Sequence, residues 1–362
     1  MSETFQEANH ERNHGPVTVV VPGDLHLTTR GRENYEAALC VVNDVNKLIR
    51  PDFVQFIGDN VQDATKEQFR LFTEITELLD VPHFVLVGDH DVCGDPDATR
   101  FRELIGEPYG STVLKGFRFA RLNTLEIPPL GLSDSQMWWL RNEFEAGIEQ
   151  RERMVLFQHH YPHKVCENFA GPGVSQWREC VNSYRPTAVV CGHTHYGQIA
   201  NDGQNVAIAA RSIGDPEGGP PGYLAMYLED DDFAVTFRAV EDNGPLVLIT
   251  HPRDVLLATD PRHVVRCDDD IRVRVWSDSA VARLVASIDD GAFIDLKSVA
   301  EAAWTAPLDR ADLAKGEHRI NVEAHLRDGR SGNQQLSFFV DGTGRYTAVP
   351  AARPIVRTTA FC

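Results

Sequence analysis

Acidic and histidine side chains recur at five places up to residue 195, each just after a predicted β-strand. The five segments are Asp24-Leu25-His26, Gly58-Asp59-Asn60, Gly88-Asp89-His90-Asp91, His159-His160-Tyr161-Pro162 and Gly192-His193-Thr194-His195. Carboxylate oxygens and imidazole nitrogens are ligands that suit manganese, iron, zinc and similar ions. Without a bound cation, so many clustered carboxylates would repel one another strongly. The residue types therefore predict a metal centre.

The spacing within these segments fits that chemistry. In an extended turn, residues i and i+2 point the same way, so an Asp-x-His or a His-x-His sequence can aim two side chains into one site. A glycine precedes Asp59, Asp89 and His193. We expect each glycine to let the backbone turn sharply where its strand ends.

The elements that must position these segments alternate between strand and helix. Apolar runs predict strands at 17–21, 53–57, 84–87, 117–122, 154–158 and 188–191, and amphipathic patterns predict helices at 35–48, 66–79, 133–145 and 174–184. The alternation predicts an α/β fold with a mostly parallel sheet. Loops at the carboxyl ends of such strands converge on one crevice. The fold would therefore bring the five segments together.

The spacing of apolar residues changes after Asn243-Gly244, and the periodicity typical of helices nearly disappears there. Short alternating stretches such as 264–267, 271–276 and 318–324 are separated by turn residues, which is typical of a β-sandwich. We therefore divide the chain into four parts. They are a flexible N-terminal arm at 1–16, an α/β catalytic domain at 17–243, an all-β sandwich at 244–350 and a C-terminal tail at 351–362.

The composition of the chain indicates which binding partners and which cellular compartment to expect. The chain of 362 residues has 53 acidic against 35 basic residues and a net charge of -18, which argues against binding to nucleic acid. No apolar run reaches the roughly 18 residues of a membrane span. Seven cysteines without Cys-x-x-Cys spacing fit a reducing compartment. We therefore expect a cytoplasmic protein with no membrane partner.

The ordered segments resemble the pattern of the calcineurin-like metallophosphoesterases, over about residues 17–240. The resemblance is greatest to the branch that includes bacterial cyclic-nucleotide and glycerophosphodiester phosphodiesterases. It implies a four-layer α/β sandwich with mixed sheets flanked by helices. The region after residue 243 resembles the immunoglobulin or fibronectin-type sandwiches appended to some of these enzymes, through Trp304, Gly316-Glu317-His318 and the alternation at 319–324.

The same resemblance implies a role for individual residues. One ion would be held by Asp24, His26 and His195, the other by Asp89, His160 and His193, with Asp59 bridging both and His90 serving as general acid or as stabiliser of phosphoryl charge. His160 rather than His159 matches the ligand, because the histidine of the family stands two residues before a proline, here Pro162. Asn60, His163 and Arg211 are candidate substrate contacts.

The implied reaction is hydrolysis of a small phosphodiester by a hydroxide that the binuclear centre activates. One alternative is a phosphomonoesterase of the same fold. Another is a non-catalytic binding or scaffold protein, although the bridging Asp59 and the His193-Thr194-His195 pair are both present. The expected partners are the small phosphate ester and, as a homo-oligomer through the C-terminal domain, a second copy of the chain.

Asp89 departs from the pattern, since the family usually has asparagine there. A carboxylate in place of an amide lowers the net charge of a two-ion centre by one. We expect this change to weaken the binding of doubly charged monoesters more than that of singly charged diesters.

Overall fold

The computed structural model describes residues 15–163, 169–217, 219–309 and 313–355. Residues 1–14 of the predicted arm and residues 356–362 of the predicted tail lie outside these ranges. None of the described helices combines the length and the apolar character needed to cross a membrane.

The first part of the chain alternates strands and helices, as the sequence predicts. Its elements are β1 (Val17–Pro22), α1 (Glu33–Asp44), β2 (Phe53–Phe56), α2 (Lys66–Thr76), β3 (His83–Val85), α3 (Thr99–Leu104), β4 (Gly110–Leu114), β5 (Phe117–Leu122), α4 (Asp134–Gln150), β6 (Arg153–Gln158), α5 (Val174–Tyr184), β7 (Ala188–Cys191), β8 (Gln198–Asn201), β9 (Val206–Ala209), β10 (Gly222–Glu229) and β11 (Asp232–Ala239). A π-helical turn at Val45–Ile49 extends α1.

The second part of the chain has nine strands and two short 3₁₀ turns, at Val255–Leu257 and Pro261–His263, among its described residues. The strands are β12 (Leu246–His251), β13 (Asp269–Trp276), β14 (Val281–Ile288), β15 (Ile294–Asp295), β16 (Lys297–Ala300), β17 (Ala303–Leu308), β18 (Gly316–Leu326), β19 (Ser331–Val340) and β20 (Ala351–Pro354). The strand predicted at 264–267 is wrong, because there only Val265 forms a bridge, to Val340.

Two mixed sheets face each other in the first part. One has the order β11-β10-β1-β2-β3 and the other the order β20-β8-β9-β7-β6-β5-β4. Apolar side chains from both sheets, such as Phe53 and Phe157, fill the layer between them. Helices α1 and α2 cover the outer face of the first sheet, and α4 and α5 cover that of the second. The four-layer arrangement confirms the predicted fold class.

The C-terminal region is an antiparallel β-sandwich. Its sheets have the orders β12-β13-β17-β16 and β15-β14-β18-β19, with one apolar core between them. Leu246, Leu248 and Trp276 lie in the same apolar cluster as the buried side of α1. The sandwich therefore packs directly on the α/β domain.

Residues 351–354, assigned to the tail by sequence, instead form the edge strand β20. It pairs antiparallel with β8, from Ala351 opposite Asn201 to Pro354 opposite Gln198. The N–H of Ile355 then donates to the carbonyl of Gly197 at 2.9 Å. The chain thus returns from the sandwich to the α/β domain, close to the His193-Thr194-His195 segment.

Arg238 joins the α/β domain to the segment that leads into the sandwich. Its side chain is 4% exposed, and it donates to Asp44 Oδ2 at 2.8 Å and to the carbonyls of Gly244 and Asp242 at 2.9 and 2.7 Å. The hydroxyl of Tyr223 donates to the same Asp44 oxygen at 2.8 Å. Removing the guanidinium would leave a carboxylate without its cation and two carbonyls without donors.

We expect Arg238→Met to lower the free energy of unfolding by about 3–5 kcal/mol, because it breaks a buried ion pair by removing one partner. The measurement is urea denaturation of the full chain. Arg283→Met is the control, since the pair of Arg283 with Asp295 is exposed and contributes about 1 kcal/mol or less. Equal losses in the two variants would contradict the expectation.

Candidate metal centre

The five segments lie together at the carboxyl ends of strands in both sheets. Segment 24–26 follows β1, 59–60 follows β2, 89–91 follows β3, 159–160 follows β6, and 193–195 follows β7. Backbone hydrogen bonds join them, for example from His26 N to the carbonyl of Asp59 at 2.9 Å. The amide of His193 also donates to Asp24 Oδ1 at 3.0 Å. The sheets thus converge on one cluster, as the sequence predicts.

Four of the candidate ligands adopt left-handed backbone conformations. The φ angles are 47° at His26, 50° at Asp59, 65° at His193 and 59° at His195. Such angles cost of order 1–3 kcal/mol each for residues other than glycine and concentrate at functional sites. The surrounding fold therefore holds the backbone of these residues in a strained conformation.

The glycines before the ligands act in two ways. Gly58 has a φ of +96° and makes the predicted sharp turn. Gly192 has no positive φ, but a Cβ there would lie 2.6 Å from Asp24 Oδ1. Its role is close approach, so that the His193 segment can reach Asp24.

Side-chain atoms that could bind a metal ion form two clusters, which we call the donor groups. The first donor group comes from His26, Asp59 and His90. His26 Nε2 lies 3.0 Å from His195 Nε2 and 3.8 Å from Asp59 Oδ2. Two imidazole nitrogens at that separation can both bind one ion at about 2.0–2.1 Å. His195 Nδ1 lies 3.4 Å from Asp215 Oδ2, the type of contact that orients a ligating histidine.

The second group comes from Asp59, Asp89, His159 and His193, so the two groups share Asp59. Asp89 Oδ1 lies 3.0 Å from His193 Nδ1 and 2.9 Å from His159 Nε2. His193 thus lies beside Asp89 and His195 beside His26, and the assignment of each to a different ion stays a prediction.

The sequence pattern favours His160 rather than His159 as the ligand, but His159 is the one that lies in the second donor group. It is fully buried, its Nδ1–H donates to the carbonyl of Ile57 at 2.8 Å, and its Nε2 also lies 3.4 Å from Asp59 Oδ2. His160 lies beside the group, with its ring centre 4.4 Å from that of His193. Its Nδ1 contacts Thr124 Oγ1 at 2.7 Å, which leaves Nε2 as the nitrogen for an ion. His160 as the ligand stays a prediction.

The protonation states suit metal binding at most of these groups. Burial lowers the pKa of His26, and burial together with His159 and His193 lowers the pKa of His160 to about 2. Burial alone would raise the pKa of Asp59, but the charge of His159 outweighs it and the pKa falls. Neutral imidazoles and ionised carboxylates are the forms that bind metal.

The pKa values of His159 and His90 are raised instead. Burial lowers the pKa of His159, but the charge of Asp59 opposes it and the pKa ends well above the ordinary value. Burial also opposes the charged form of His90, yet its hydrogen bond to the Gln62 carbonyl and the nearby carboxylates raise the pKa. The carboxylates around His159 thus favour its protonated form, the form that does not bind metal.

One buried polar atom indicates that an ion fits here. Asp24 Oδ2 has no hydrogen-bond partner among the described residues, and Asp24 is fully buried. A buried carboxylate oxygen without a partner is costly unless a cation lies near it. The oxygen and nitrogen donors of the cluster are those that divalent transition metals accept.

Asp91 and Asn60 form a buried support under the cluster. Asp91 accepts hydrogen bonds from the backbone amides of Asn60, Val61 and Gly88 at 2.9–3.1 Å. Burial, then the charge of Asp59, raises the pKa of Asp91 to about 7. Asn60 Nδ2 donates to Asp91 Oδ2 and to the Leu86 carbonyl. Both amide hydrogens of Asn60 are thus used inside the protein, and a substrate contact there stays a prediction.

The other two predicted substrate contacts lie outside the donor groups. Arg211 is 2% exposed, and its Nε donates to the carbonyl of Pro220 at 2.6 Å. It thereby holds the loop after β9. His163 lies at the end of the described range, with its ring centre 5.5 Å from that of Tyr161. The positions of Arg211 and His163 neither support nor contradict a contact with substrate, so both contacts stay predictions.

Comparison with known proteins identifies a family for the part of the chain that contains this site. Residues 17–197, half of the chain, match the family model described as calcineurin-like phosphoesterase. The chain belongs to the calcineurin-like phosphoesterase family. The match covers all five segments of the metal centre, so this phosphoesterase carries its cluster within the family domain.

Individual relatives of this phosphoesterase are distant. It is 28% identical over 197 residues to a probable glycerophosphodiester phosphodiesterase of Arcobacter nitrofigilis, covering 49% of this chain and 71% of the relative. It is 27% identical over 253 residues to tartrate-resistant acid phosphatase type 5 of Rattus norvegicus, covering 57% and 76%. A dimetal phosphatase from Danio rerio shares the fold, with a TM-score of 0.52 and 15% identity over 63% of this chain and 98% of that one.

Proposed function

We propose that this phosphoesterase hydrolyses a small phosphodiester with two divalent ions. The observation that carries the proposal is the pair of donor groups that share Asp59. A carboxylate common to two groups suits a site for two neighbouring ions, the arrangement used for phosphate esters. Manganese, iron and zinc are the proposed metals. The cytoplasmic location and the homo-oligomer remain predictions from the sequence.

The proposed ligands divide between the two ions. Asp24, His26 and His195 would hold one, Asp89, His193 and His160 the other, and Asp59 both, while His159 Nε2 would hydrogen-bond to the Asp89 carboxylate. When bound, the ions supply positive charge to the phosphoryl oxygens and lower the pKa of the attacking water toward neutral.

His90 is the proposed proton donor to the leaving oxygen. Its Nδ1–H donates to the Gln62 carbonyl at 2.8 Å, which fixes the ring and leaves Nε2 for the substrate. Its amide donates to Asp59 Oδ1 at 2.9 Å, so the ring keeps a constant position relative to the shared carboxylate. The raised pKa of His90 supports a protonated imidazole near neutral pH.

The preference for a diester rests on the charge of Asp89. Its carboxyl has a pKa below the usual range, since the hydrogen bonds from His159 and His193 outweigh the effect of burial. A permanent negative charge beside the substrate disfavours a dianionic monoester more than a monoanionic diester. Hydrolysis of a monoester is the competing function.

Reconstitution with metal tests the proposal. Purified protein loaded with Mn²⁺, Fe²⁺, Zn²⁺ or Co²⁺ is assayed against bis-(p-nitrophenyl) phosphate and p-nitrophenyl phosphate. We expect metal-dependent hydrolysis of both, with a higher kcat/KM for the diester. A higher value for the monoester would favour the phosphatase. No hydrolysis of either substrate with any metal would contradict an enzymatic role.

We expect Asp89→Asn to lower the diester-to-monoester ratio of kcat/KM by about tenfold, which corresponds to about 1.4 kcal/mol of differential charge interaction. The amide keeps the size of the side chain and removes its charge. The metal content of the variant is measured in parallel, so that ion loss is separated from substrate preference. An unchanged ratio at full metal content would refute the role assigned to this charge.

A further inference from the structure

Arg121 on β5 carries a buried guanidinium. It is 8% exposed, and among the residues that the structure describes no carboxylate lies within ion-pair distance of it. Its Nη2 donates to Thr112 Oγ1 at 3.0 Å, and its Cζ lies 4.3 Å from the ring centre of Phe84. Its Nη1 is buried and has no hydrogen-bond partner within the described part of the chain. A buried charge of this kind is unfavourable unless another group compensates it.

The charge of Arg121 persists at neutral pH. Burial lowers its pKa to about 10, which still leaves the guanidinium protonated. Stacking on Phe84 and one hydroxyl acceptor satisfy only part of a group that carries five N–H donors. A guanidinium donor that reaches an open cavity suits an oxoanion, because the planar fork matches a carboxylate or a phosphate.

Arg121 lines a cavity of about 420 Å³ between the end of α2, the edge strand β3 and the connection from α3 to β4. Its lining is mixed, with Leu104, Ile105 and Tyr109 as apolar residues and Thr73, Thr76 and His83 as polar ones. The volume lies in the range of about 300–1,000 Å³ typical of small-molecule sites. None of its lining residues belongs to the two donor groups of the metal centre.

The other charged groups of the cavity limit the charge of its ligand. Glu77 and Glu107 also line it. The side chain of Glu107 is 82% exposed, and it faces Arg102 at 3.9 Å. Two carboxylates beside one guanidinium disfavour a multiply charged anion and still allow a single oxoanionic group to reach the arginine.

We propose that this cavity is a second ligand site, which binds a small monoanionic oxoanion with an apolar body through Arg121. A monocarboxylate has the required charge, and the apolar part of the lining accepts the rest of the molecule. The site is independent of the metal centre and of the reaction proposed for it.

The test uses 4-phenylbutyrate, its neutral amide and inorganic phosphate as probes of the full-length protein. Binding is measured by calorimetry and by the shift in Tm. We expect the carboxylate to bind and to raise Tm by about 5 °C at 100 times its Kd. The amide, which lacks the charge, is expected to bind about 10- to 100-fold more weakly.

Three variants locate the site. Arg121→Met is expected to fold with an unchanged or higher Tm, because an apolar residue replaces an unpaired buried charge, and to lose at least about tenfold in affinity. Leu104→Trp keeps the arginine and fills the cavity, so binding should also be lost. Asp59→Asn alters the metal centre and should retain binding.

The outcomes distinguish a second site from binding at the metal centre and from a structural role of the arginine. Absence of binding to the unaltered protein would overturn the proposal, and a fall in Tm for Arg121→Met would then assign the arginine a purely structural role. Loss of binding in Asp59→Asn with full binding in Arg121→Met would place the ligand at the metal centre and also overturn it. Arg121-dependent binding of phosphate alone would overturn the assignment of an apolar body.

Discussion

Asp59→Asn is expected to lower kcat/KM for bis-(p-nitrophenyl) phosphate by about 10³-fold and to reduce the number of bound ions per chain. Asp59 is the residue that both donor groups share, so its charge affects both ions. Charge stabilisation by a metal contributes several kcal/mol, and each 1.4 kcal/mol changes the rate about tenfold.

The asparagine variant isolates the charge of Asp59 from its structural role. Asparagine tolerates the left-handed backbone found at this residue, and its carbonyl can still accept the amide of His90, as Asp59 Oδ1 does. Asp63→Asn is the matched control, because Asp63 is exposed and its carboxylate accepts from Gln68. A rate for Asp59→Asn within tenfold of the unaltered enzyme would argue against the shared-ligand role.

The second large effect is expected for His90→Asn and depends on the leaving group. General acid catalysis contributes about 10²–10⁴-fold, so hydrolysis of a glycerophosphodiester, which releases a poor alkoxide leaving group, should slow by that factor. Bis-(p-nitrophenyl) phosphate releases a good leaving group that needs little help from an acid. Its hydrolysis should slow far less.

The ratio of these two effects separates the alternatives for His90. A stabiliser of phosphoryl charge would slow both substrates by the same factor, whereas a proton donor slows the poor leaving group selectively. Gln62→Ala is the companion variant, because it removes the 3.1 Å contact of Gln62 Nε2 with His90 Nδ1 but keeps the contact of that ring with the backbone carbonyl of Gln62. Equal slowing of both substrates in His90→Asn would eliminate the proton-donor role.

The catalytic part of the fold could be predicted because its signals are local. Each strand that carries a ligand is a short apolar run followed at once by an acidic or histidine residue, as at Val17–Pro22 before Asp24. The topology of an α/β sheet then fixes where these residues meet. For this reason the sequence predicted the cluster, whereas the bridging role of Asp59 is implied by the family resemblance and stays a prediction.

The features that could not be predicted depend on distant contacts. Strand β20 is four residues long and pairs with β8 only because the sandwich returns the chain to that sheet edge, so its own sequence has no strand signal. His159 is held in the cluster by a hydrogen bond to the Ile57 carbonyl and a contact with Asp89. Nothing in the doubled His159-His160 sequence shows which ring faces the carboxylates.

The most direct test of the two-ion account is a metal titration of the ion-free protein. Mn²⁺ is added stepwise while bound ions are counted by elemental analysis and hydrolysis of bis-(p-nitrophenyl) phosphate is followed. We predict that the unaltered protein binds two ions per chain and reaches full activity only when both are bound. Full activity with a single ion per chain, or two bound ions without hydrolysis, would contradict the account.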